Sequence, residues 1–173
     1  MVQKNGERRP RSAKVDPLQL ALDRFARTLA EPAPGKEGDW ATELDAALAG
    51  LANGLQQHIT NAEGPDGLLT EVDLTRPTLA RKVSELRKEH ADFLNQISAF
   101  QQEVRRVAQA FQSRAQPPDL TSTLPEPAAP TGVADLGEIR QQGEQLVAAL
   151  QHHFQEETDV TLESIATDIG VGD

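Results

Sequence analysis

The sequence contains no cysteine and no tyrosine, and aromatic residues make up only 3% of its 173 residues. The absence of cysteine excludes disulfides, a thiol nucleophile and thiolate metal ligands. No apolar run approaches the roughly 20 residues of a membrane-spanning helix, and the N-terminus lacks the hydrophobic core of a signal peptide. We therefore expect a cytoplasmic protein without membrane contact, in which only histidines and carboxylates are available to bind a metal.

The residues that are abundant favour helices. Alanine, leucine, glutamine and glutamate dominate, whereas β-branched residues are sparse. A formal net charge of −10 argues against nucleic-acid binding. The length is natural for one domain and is sufficient for the core of a four-helix bundle. The composition predicts an all-α protein.

Apolar residues in alternating steps of three and four predict four helices that pack as an up-down-up-down bundle. Asp16-Pro17 is a start signal for the first helix, which stops at Glu31-Pro32. The second helix begins near Asp39-Trp40. We expect it to continue, kinked, through Gly64-Pro65-Asp66-Gly67 and to turn at 73–76.

Arg76-Pro77 starts the third helix, which has the longest apolar stripe, and the fourth helix runs from about Gly132 to Ala166. The chain thus divides into a disordered basic tail (1–15), the bundle (16–167), a proline-rich connector within it (115–131) and a short C-terminal tail (168–173).

Three of the four histidines, His58, His90 and His153, interrupt the apolar stripes of three different predicted helices. Glu157 follows His153 by one turn on the same face. Burying these groups costs several kcal/mol unless they are paired or bind a metal. His152 falls on the outer face, where we expect it to be solvated.

Positions along the chain predict that the three histidines share one layer. Residues at equal height in antiparallel helices are symmetric about the intervening turn. The midpoint between His58 and His90 is residue 74, and that between His90 and His153 falls at 121–122. Both midpoints coincide with predicted turns or connectors. The layer is then completed by Glu157, with Glu63 as a further candidate.

Three imidazoles and one or two carboxylates form a ligand set that suits iron, manganese or zinc. One ion is easier to supply than two, because a two-metal site needs bridging carboxylates and more ligand atoms than the chain offers here. The alternative is a buried polar layer without metal, hydrogen-bonded to Glu157, backbone carbonyls or trapped water, that fixes the register of the helices.

Three stretches carry a resemblance to a known family: LQQHITNAEGPDGLL (55–69), RKVSELRKEHADFLNQI (81–97) and LVAALQHHFQEETDVTLES (146–164). In order and spacing they resemble the hemerythrin-like (HHE cation-binding) domain family, over roughly residues 16–167. The ending TDIGVGD is similar to the tail of some bacterial members. The resemblance implies a four-helix bundle whose helices supply His, His-x-x-x-Glu, His and His-x-x-x-Glu ligands to a di-iron centre.

Matched to this pattern, the metal ligands are His58, His90, His153 and Glu157, with Glu63 as a fifth. Two positions depart from the pattern. Four residues after His58, where the pattern has a carboxylate, this chain has Ala62. The first predicted helix contains no histidine, and the residues nearest to the expected ligand position at its start are Val15 and Asp16. The remaining set predicts one iron ion in place of two, or a bundle without metal.

The resemblance implies a role in reversible dioxygen binding, oxygen or redox sensing, or iron handling. Beyond the metal ligands we find no general base or nucleophile, so we do not predict an enzyme. The alternative is a degenerate, metal-free bundle that acts as a protein interaction module. A histidine phosphotransfer domain is a third hypothesis, but Glu156 and Glu157 surround its candidate, His152, with negative charge that repels a phosphoryl donor.

Overall fold

The computed structural model describes residues 16–31, 33–115 and 136–169. Within these ranges the chain forms five α-helices and no strand: α1 (Pro17–Ala30), α2 (Glu37–Glu63), α3 (Leu68–Thr75), α4 (Ala80–Ala115) and α5 (Leu136–Ile169). A 3₁₀ turn (Pro77–Leu79) leads into α4. Helices α1, α2, α4 and α5 form the predicted four-helix bundle, and α3 is a short addition at one end. None of the helices in the described ranges combines the length and apolarity needed to cross a bilayer.

Most of the predicted boundaries agree with the observed helices. Asp16 caps α1, because its Oδ1 accepts a hydrogen bond from the backbone N–H of Leu18 at 2.9 Å, and Pro17 occupies the first helical position. Helix α2 begins slightly earlier than predicted, at Glu37, and α5 extends past Ala166. The predicted N-terminal tail, residues 116–131 of the connector, the predicted start of the last helix and residues 170–173 lie outside the described residues.

The predicted kinked continuation of α2 is wrong, because the chain leaves the helical conformation at Gly64. That residue has an extended backbone with ψ of 172°. Pro65 follows, and a residue before proline is disfavoured in the helical region. Gly67 is also extended, and α3 then begins as a separate helix. The interruption divides the second predicted helix into α2 and α3.

Bonds between helices establish that neighbouring members of the bundle are antiparallel. The cross-helix pairs are Trp40 with the carbonyl of Thr28, Arg105 with Asp45, Lys82 with Glu163, and Arg140 with the carbonyl of Leu29. In each pair, a residue near the start of one helix meets a residue near the end of its neighbour. The short helix α3 packs against α2, α4 and α5 at the end of the bundle opposite the α1–α2 turn.

The core consists of two apolar clusters. The larger fills the bundle between α1, α2, α4 and α5. The smaller lies beneath α3 and comprises Ala62, Leu69, Val72, Leu79, Val83, Leu86 and Val160. Among the described residues, the buried polar side chains are His90 and His153, each 1% exposed. On α4, His90 lies between Leu86 of the smaller cluster and Phe93 of the larger one, so the histidine layer separates the two clusters.

Substitution of Gly143 tests the close approach of α5 to α1. A Cβ at this position would lie 2.6 and 2.7 Å from the methyl carbons of Leu29, which is 3% exposed. We expect Gly143→Ala to lower the free energy of unfolding by about 1 kcal/mol, because an overpacking cost of about 1–3 kcal/mol exceeds the helix-propensity gain of about 1 kcal/mol. Urea unfolding measures the difference.

Gly50→Ala is the matched control, since no atom beyond its own stretch of helix lies within 4 Å of a Cβ at Gly50. We expect this variant to be more stable than the parent by about 0.5–1 kcal/mol. Equal stabilisation by both substitutions would contradict the observed packing of Gly143 against Leu29.

Candidate metal centre

Four side chains from three helices converge in the layer between the two apolar clusters. Helix α2 contributes His58, α4 contributes His90, and α5 contributes His153 and Glu157; one ligand atom from each lies within 4.8 Å of all the others. The ring centroid of His90 lies 5.3 Å from that of His58 and 4.7 Å from that of His153. The prediction that the three histidines share one layer is therefore confirmed.

The group is largely shielded from solvent. His90 and His153 are 1% exposed, and the side chains of His58 and Glu157 are 14% and 12% exposed. Phe93 and Phe154 pack edge-on against the imidazole rings. Polar groups in such surroundings require partners, because their hydration is lost on folding.

Two of the imidazoles are hydrogen-bonded through Nδ1 to carboxylates outside the group. Nδ1 of His90 lies 2.6 Å from Oε1 of Glu63, and Nδ1 of His153 lies 2.7 Å from Oε2 of Glu89. A carboxylate accepts hydrogen bonds, so we infer that both Nδ1 atoms donate and that the lone pair of each neutral ring lies on Nε2. Metal-binding histidines are typically oriented by such an outer carboxylate, which fixes the tautomer and increases the basicity of the ligating nitrogen.

The Nε2 atoms of all three histidines are buried and have no hydrogen-bond partner among the described residues. Oε2 of Glu157 lies 2.9 Å from Nε2 of His58, but this contact lacks hydrogen-bond geometry and is an ion-pair contact. An unsatisfied buried polar group costs about 1–3 kcal/mol. Three such atoms facing one carboxylate require an explanation, and a bound cation satisfies all of them at once.

The size of the group suits one ion. Ligand nitrogens and oxygens at about 2.0–2.1 Å from an ion are at most about 4.2 Å apart. The observed limit of 4.8 Å is slightly larger. Side-chain rotation that draws the four atoms together is therefore sufficient to close the site.

Burial and neighbouring charges shift the pKa values of His58, Glu157 and His90. Burial lowers the pKa of His58, but the carboxylate of Glu157 outweighs burial, and the pKa is raised above the ordinary value of 6.5. Burial raises the pKa of Glu157, but its contact with His58 outweighs burial and lowers the pKa below 4.5. Burial lowers the pKa of His90, and the neighbouring histidines oppose its protonation further, despite the hydrogen bond to Glu63. The contact between His58 and Glu157 therefore favours the charged form of both groups, whereas burial favours the neutral form of His90.

Not every predicted site residue belongs to the group. Glu63, expected as a fifth ligand, lies outside the group and bonds to Nδ1 of His90. Asp16, at the start of α1, reaches the edge of the layer, where its Oδ2 lies 4.0 Å from Nδ1 of His58. His152 points away from the layer as expected, with its side chain 73% exposed and its Nδ1 3.4 Å from Glu156.

Glu89 was missed by the sequence reasoning. Glu89 lies beside the apolar stripe of α4, and a residue at such a position is normally solvated. Reflection of residue 89 through the midpoint at 121–122 places it at the height of 153–155, so the test that aligned the histidines gives the height of this carboxylate but not the direction of its side chain.

No protein-family model, curated protein or solved structure matches this chain. The resemblance to the hemerythrin-like family therefore stays a prediction from the sequence. The interpretation of the site rests on its own geometry.

The contact between His58 and Glu157 predicts a defined pH window in the metal-free protein. The raised pKa of His58 stabilises the fold fully below pH 6.5, and this contribution is lost as the pH rises through the folded-state value. The lowered pKa of Glu157 stabilises the fold fully above pH 4.5, and this contribution is lost as the pH falls through the folded-state value. Both contributions are complete between these limits.

We therefore expect Glu157→Gln to destabilise the metal-free protein most strongly between pH 4.5 and 6.5 and less on either side. Denaturant unfolding in the presence of a chelator, from pH 4 to pH 8, measures the difference between the two proteins. A difference that does not vary with pH would show that the two side chains do not interact.

Proposed function

We propose that this chain is a metal-binding protein of the hemerythrin-like kind, which holds one iron ion and acts in oxygen or redox sensing or in iron handling. The ligands are His58, His90, His153 and Glu157. One observation carries the proposal: three imidazoles whose buried Nε2 atoms have no hydrogen-bond partner among the described residues converge with one carboxylate. A group that exists only to pack the core has no reason to leave these atoms unsatisfied.

The outer carboxylates support metal binding over a purely structural polar layer. A layer that only fixes helix register would be most stable if the imidazoles bonded to one another or to the backbone. In the described residues, Glu63 and Glu89 instead occupy the Nδ1 atoms and leave the Nε2 atoms available. Metal-binding histidines show the same division, in which one ring nitrogen bonds to an outer carboxylate and the other binds the metal.

The ligand inventory supports one ion. A two-metal site needs bridging carboxylates and further ligands. The residue one turn after His58 is Ala62, and the described part of α1 contains no histidine. Glu63 and Glu89 lie outside the group and are engaged with the Nδ1 atoms of His90 and His153. Four ligand atoms remain, which is a common number for a single ion.

The donor set suits iron, manganese or zinc, and the resemblance favours iron. A bound iron ion with four protein ligands would supply one-electron redox chemistry and free coordination positions for a small molecule such as dioxygen. The protein side chains orient the ligands, exclude bulk water and balance the charge. Metal ligation requires a neutral imidazole and the pKa of His58 is raised, so affinity should increase with pH through the range in which His58 loses its proton.

The adjacent histidines on α5 provide a test with an internal control. We expect the wild-type protein to bind about one equivalent of ferrous iron under anaerobic conditions and to melt at a higher temperature when iron is present, because the ion binds only the folded state. His153→Leu should abolish both effects. It should leave the stability of the metal-free protein level or raised, because a buried polar ring is replaced by an apolar side chain.

His152→Leu is the control, since His152 is exposed and outside the group. It should bind iron and respond to it as the wild type does. Metal analysis and thermal unfolding, with and without chelator, provide both readouts. A wild-type protein whose melting is indifferent to iron, manganese and zinc would support the metal-free interaction module instead.

A further inference from the structure

His58 faces a carboxylate at each of its ring nitrogens, and the two distances differ. Its Nε2 lies 2.9 Å from Oε2 of Glu157, whereas its Nδ1 lies 4.0 Å from Oδ2 of Asp16, the residue that caps α1. The Nδ1 atoms of His90 and His153 face carboxylates in the same way, at 2.6 and 2.7 Å. Each of the three imidazoles therefore has one nitrogen in the group and a carboxylate near the other.

The packing of α1 against α2 accounts for the position of Asp16. A Cβ at Gly54 would lie only 3.2 Å from Cα of Leu18, so the missing side chain lets the first turn of α1 approach α2 closely. Gly54 precedes His58 by four residues and lies on the same face of α2. The cap bond from the backbone N–H of Leu18 holds Oδ1 of Asp16, and Oδ2 is the atom that approaches the imidazole. This close packing is independent of the charge of Asp16.

Metal ligation would fix the position of the proton on His58. The lone pair of Nε2 must point to the ion, so the proton of the neutral ring lies on Nδ1, the nitrogen that faces Asp16. At 4.0 Å this contact is too long for a hydrogen bond. An approach of about 1 Å would give the N–H donor a carboxylate acceptor at ordinary hydrogen-bond length.

We propose that Asp16 is the outer carboxylate of His58, and that metal binding tightens this contact and thereby fixes the start of α1. The proposal rests on the proposed function, because it requires that the centre binds metal. Asp16 is a positioning residue: it acts on the metal through the imidazole, while its other oxygen caps the helix. Helix α1 is thus coupled to the occupancy of the centre through its cap.

Asparagine and serine at position 16 separate the two roles of Asp16. Both residues cap helices well, so α1 should remain intact. Asparagine has one acceptor oxygen, which can serve the cap or the imidazole but not both, and the serine hydroxyl is too short to serve both. Loss of an outer partner weakens metal binding by about 10–100-fold. The side chain of Asp16 is 56% exposed, so we expect a value at the lower end of that range.

The first experiment is a competition titration of the 173-residue protein with Zn²⁺ against a chelator. We expect Asp16→Asn and Asp16→Ser to bind Zn²⁺ about tenfold more weakly than the wild type. Asp23→Asn is the control, because Asp23 is an exposed carboxylate on the same helix that bonds to Gln19. It should change the affinity by less than about twofold, since its charge is screened by solvent. Circular dichroism verifies the folding of each variant.

Imidazole NMR provides a readout that a purely structural role of Asp16 would not change. Zn²⁺ is diamagnetic, so the Nδ1–H groups of the loaded protein can be observed. We expect three such protons to exchange slowly with water in the wild type, and only those of His90 and His153 in Asp16→Asn. Zn²⁺ should also slow the exchange of the Leu18 amide in the wild type, because its acceptor is held in place, and should have no such effect in Asp16→Asn.

Gly54→Ala tests the packing that places Asp16, with Gly50→Ala as the matched control. A Cβ at Gly54 meets backbone of α1, whereas one at Gly50 meets no atom beyond its own stretch of helix within 4 Å. We expect Gly54→Ala to weaken Zn²⁺ binding and Gly50→Ala to leave it unchanged. Combined with Asp16→Asn, Gly54→Ala should cause no further loss, because both changes remove the same contact.

Two results would overturn the proposal in different ways. Wild-type affinity in Asp16→Asn and Asp16→Ser, with the third Nδ1–H still protected, would remove the role of Asp16 and leave the metal centre supported. A wild-type protein that binds neither Zn²⁺ nor Fe²⁺ would overturn the proposed function as well. If both variants fail to fold, the wild-type spectrum decides: rapid exchange of the His58 Nδ1–H in the Zn²⁺-loaded protein would contradict the proposal.

Discussion

The structure depends on the burial of three imidazoles between two apolar clusters. His90 and His153 are almost completely shielded, and the packing of α4 and α5 leaves them no alternative location. The carboxylates of Glu63 and Glu89 stabilise one nitrogen of each ring from the periphery. The second nitrogen of each ring is buried without a hydrogen-bond partner among the described residues, within the group that also includes His58 and Glu157. The fold therefore carries an energetic cost in its metal-free state, and we interpret that cost as the signature of a binding site.

The other helices are arranged around the histidine layer. Helix α1 begins at the height of the histidine layer, where its cap Asp16 approaches His58, and α3 covers the end of the bundle opposite the α1–α2 turn. The break at Gly64 frees the chain to form α3, and it leaves Glu63 at the last position of α2, where its side chain reaches His90. The residues that depart from the hemerythrin-like pattern are thus located at the start of α1 and the end of α2. The layer is nevertheless largely shielded from solvent.

Much of the fold and of the candidate site could be predicted from the sequence, because both follow from helical periodicity. The alternating apolar steps identified the buried faces, and they placed His90 and His153 on those faces because a polar residue there interrupts a regular stripe. The midpoint argument then brought the histidines to one height. Periodicity could not separate α2 from α3, since the apolar pattern resumes after the break. It also could not assign Glu63 and Glu89, because a residue beside the stripe is usually solvated, and its side-chain direction depends on packing against the next helix.

The central claim is that His58, His90, His153 and Glu157 bind one metal ion. X-ray absorption spectroscopy of the protein loaded with iron tests it most directly, because outer-shell scattering counts imidazole ligands and reveals any second metal. We expect nitrogen and oxygen ligands near 2.0–2.2 Å, scattering from three imidazoles, and no metal–metal distance in the range of about 3.5–4 Å that two-metal sites show. A spectrum with one imidazole or none would contradict the claim, and a metal–metal distance would show that the site is built from ligands beyond these four.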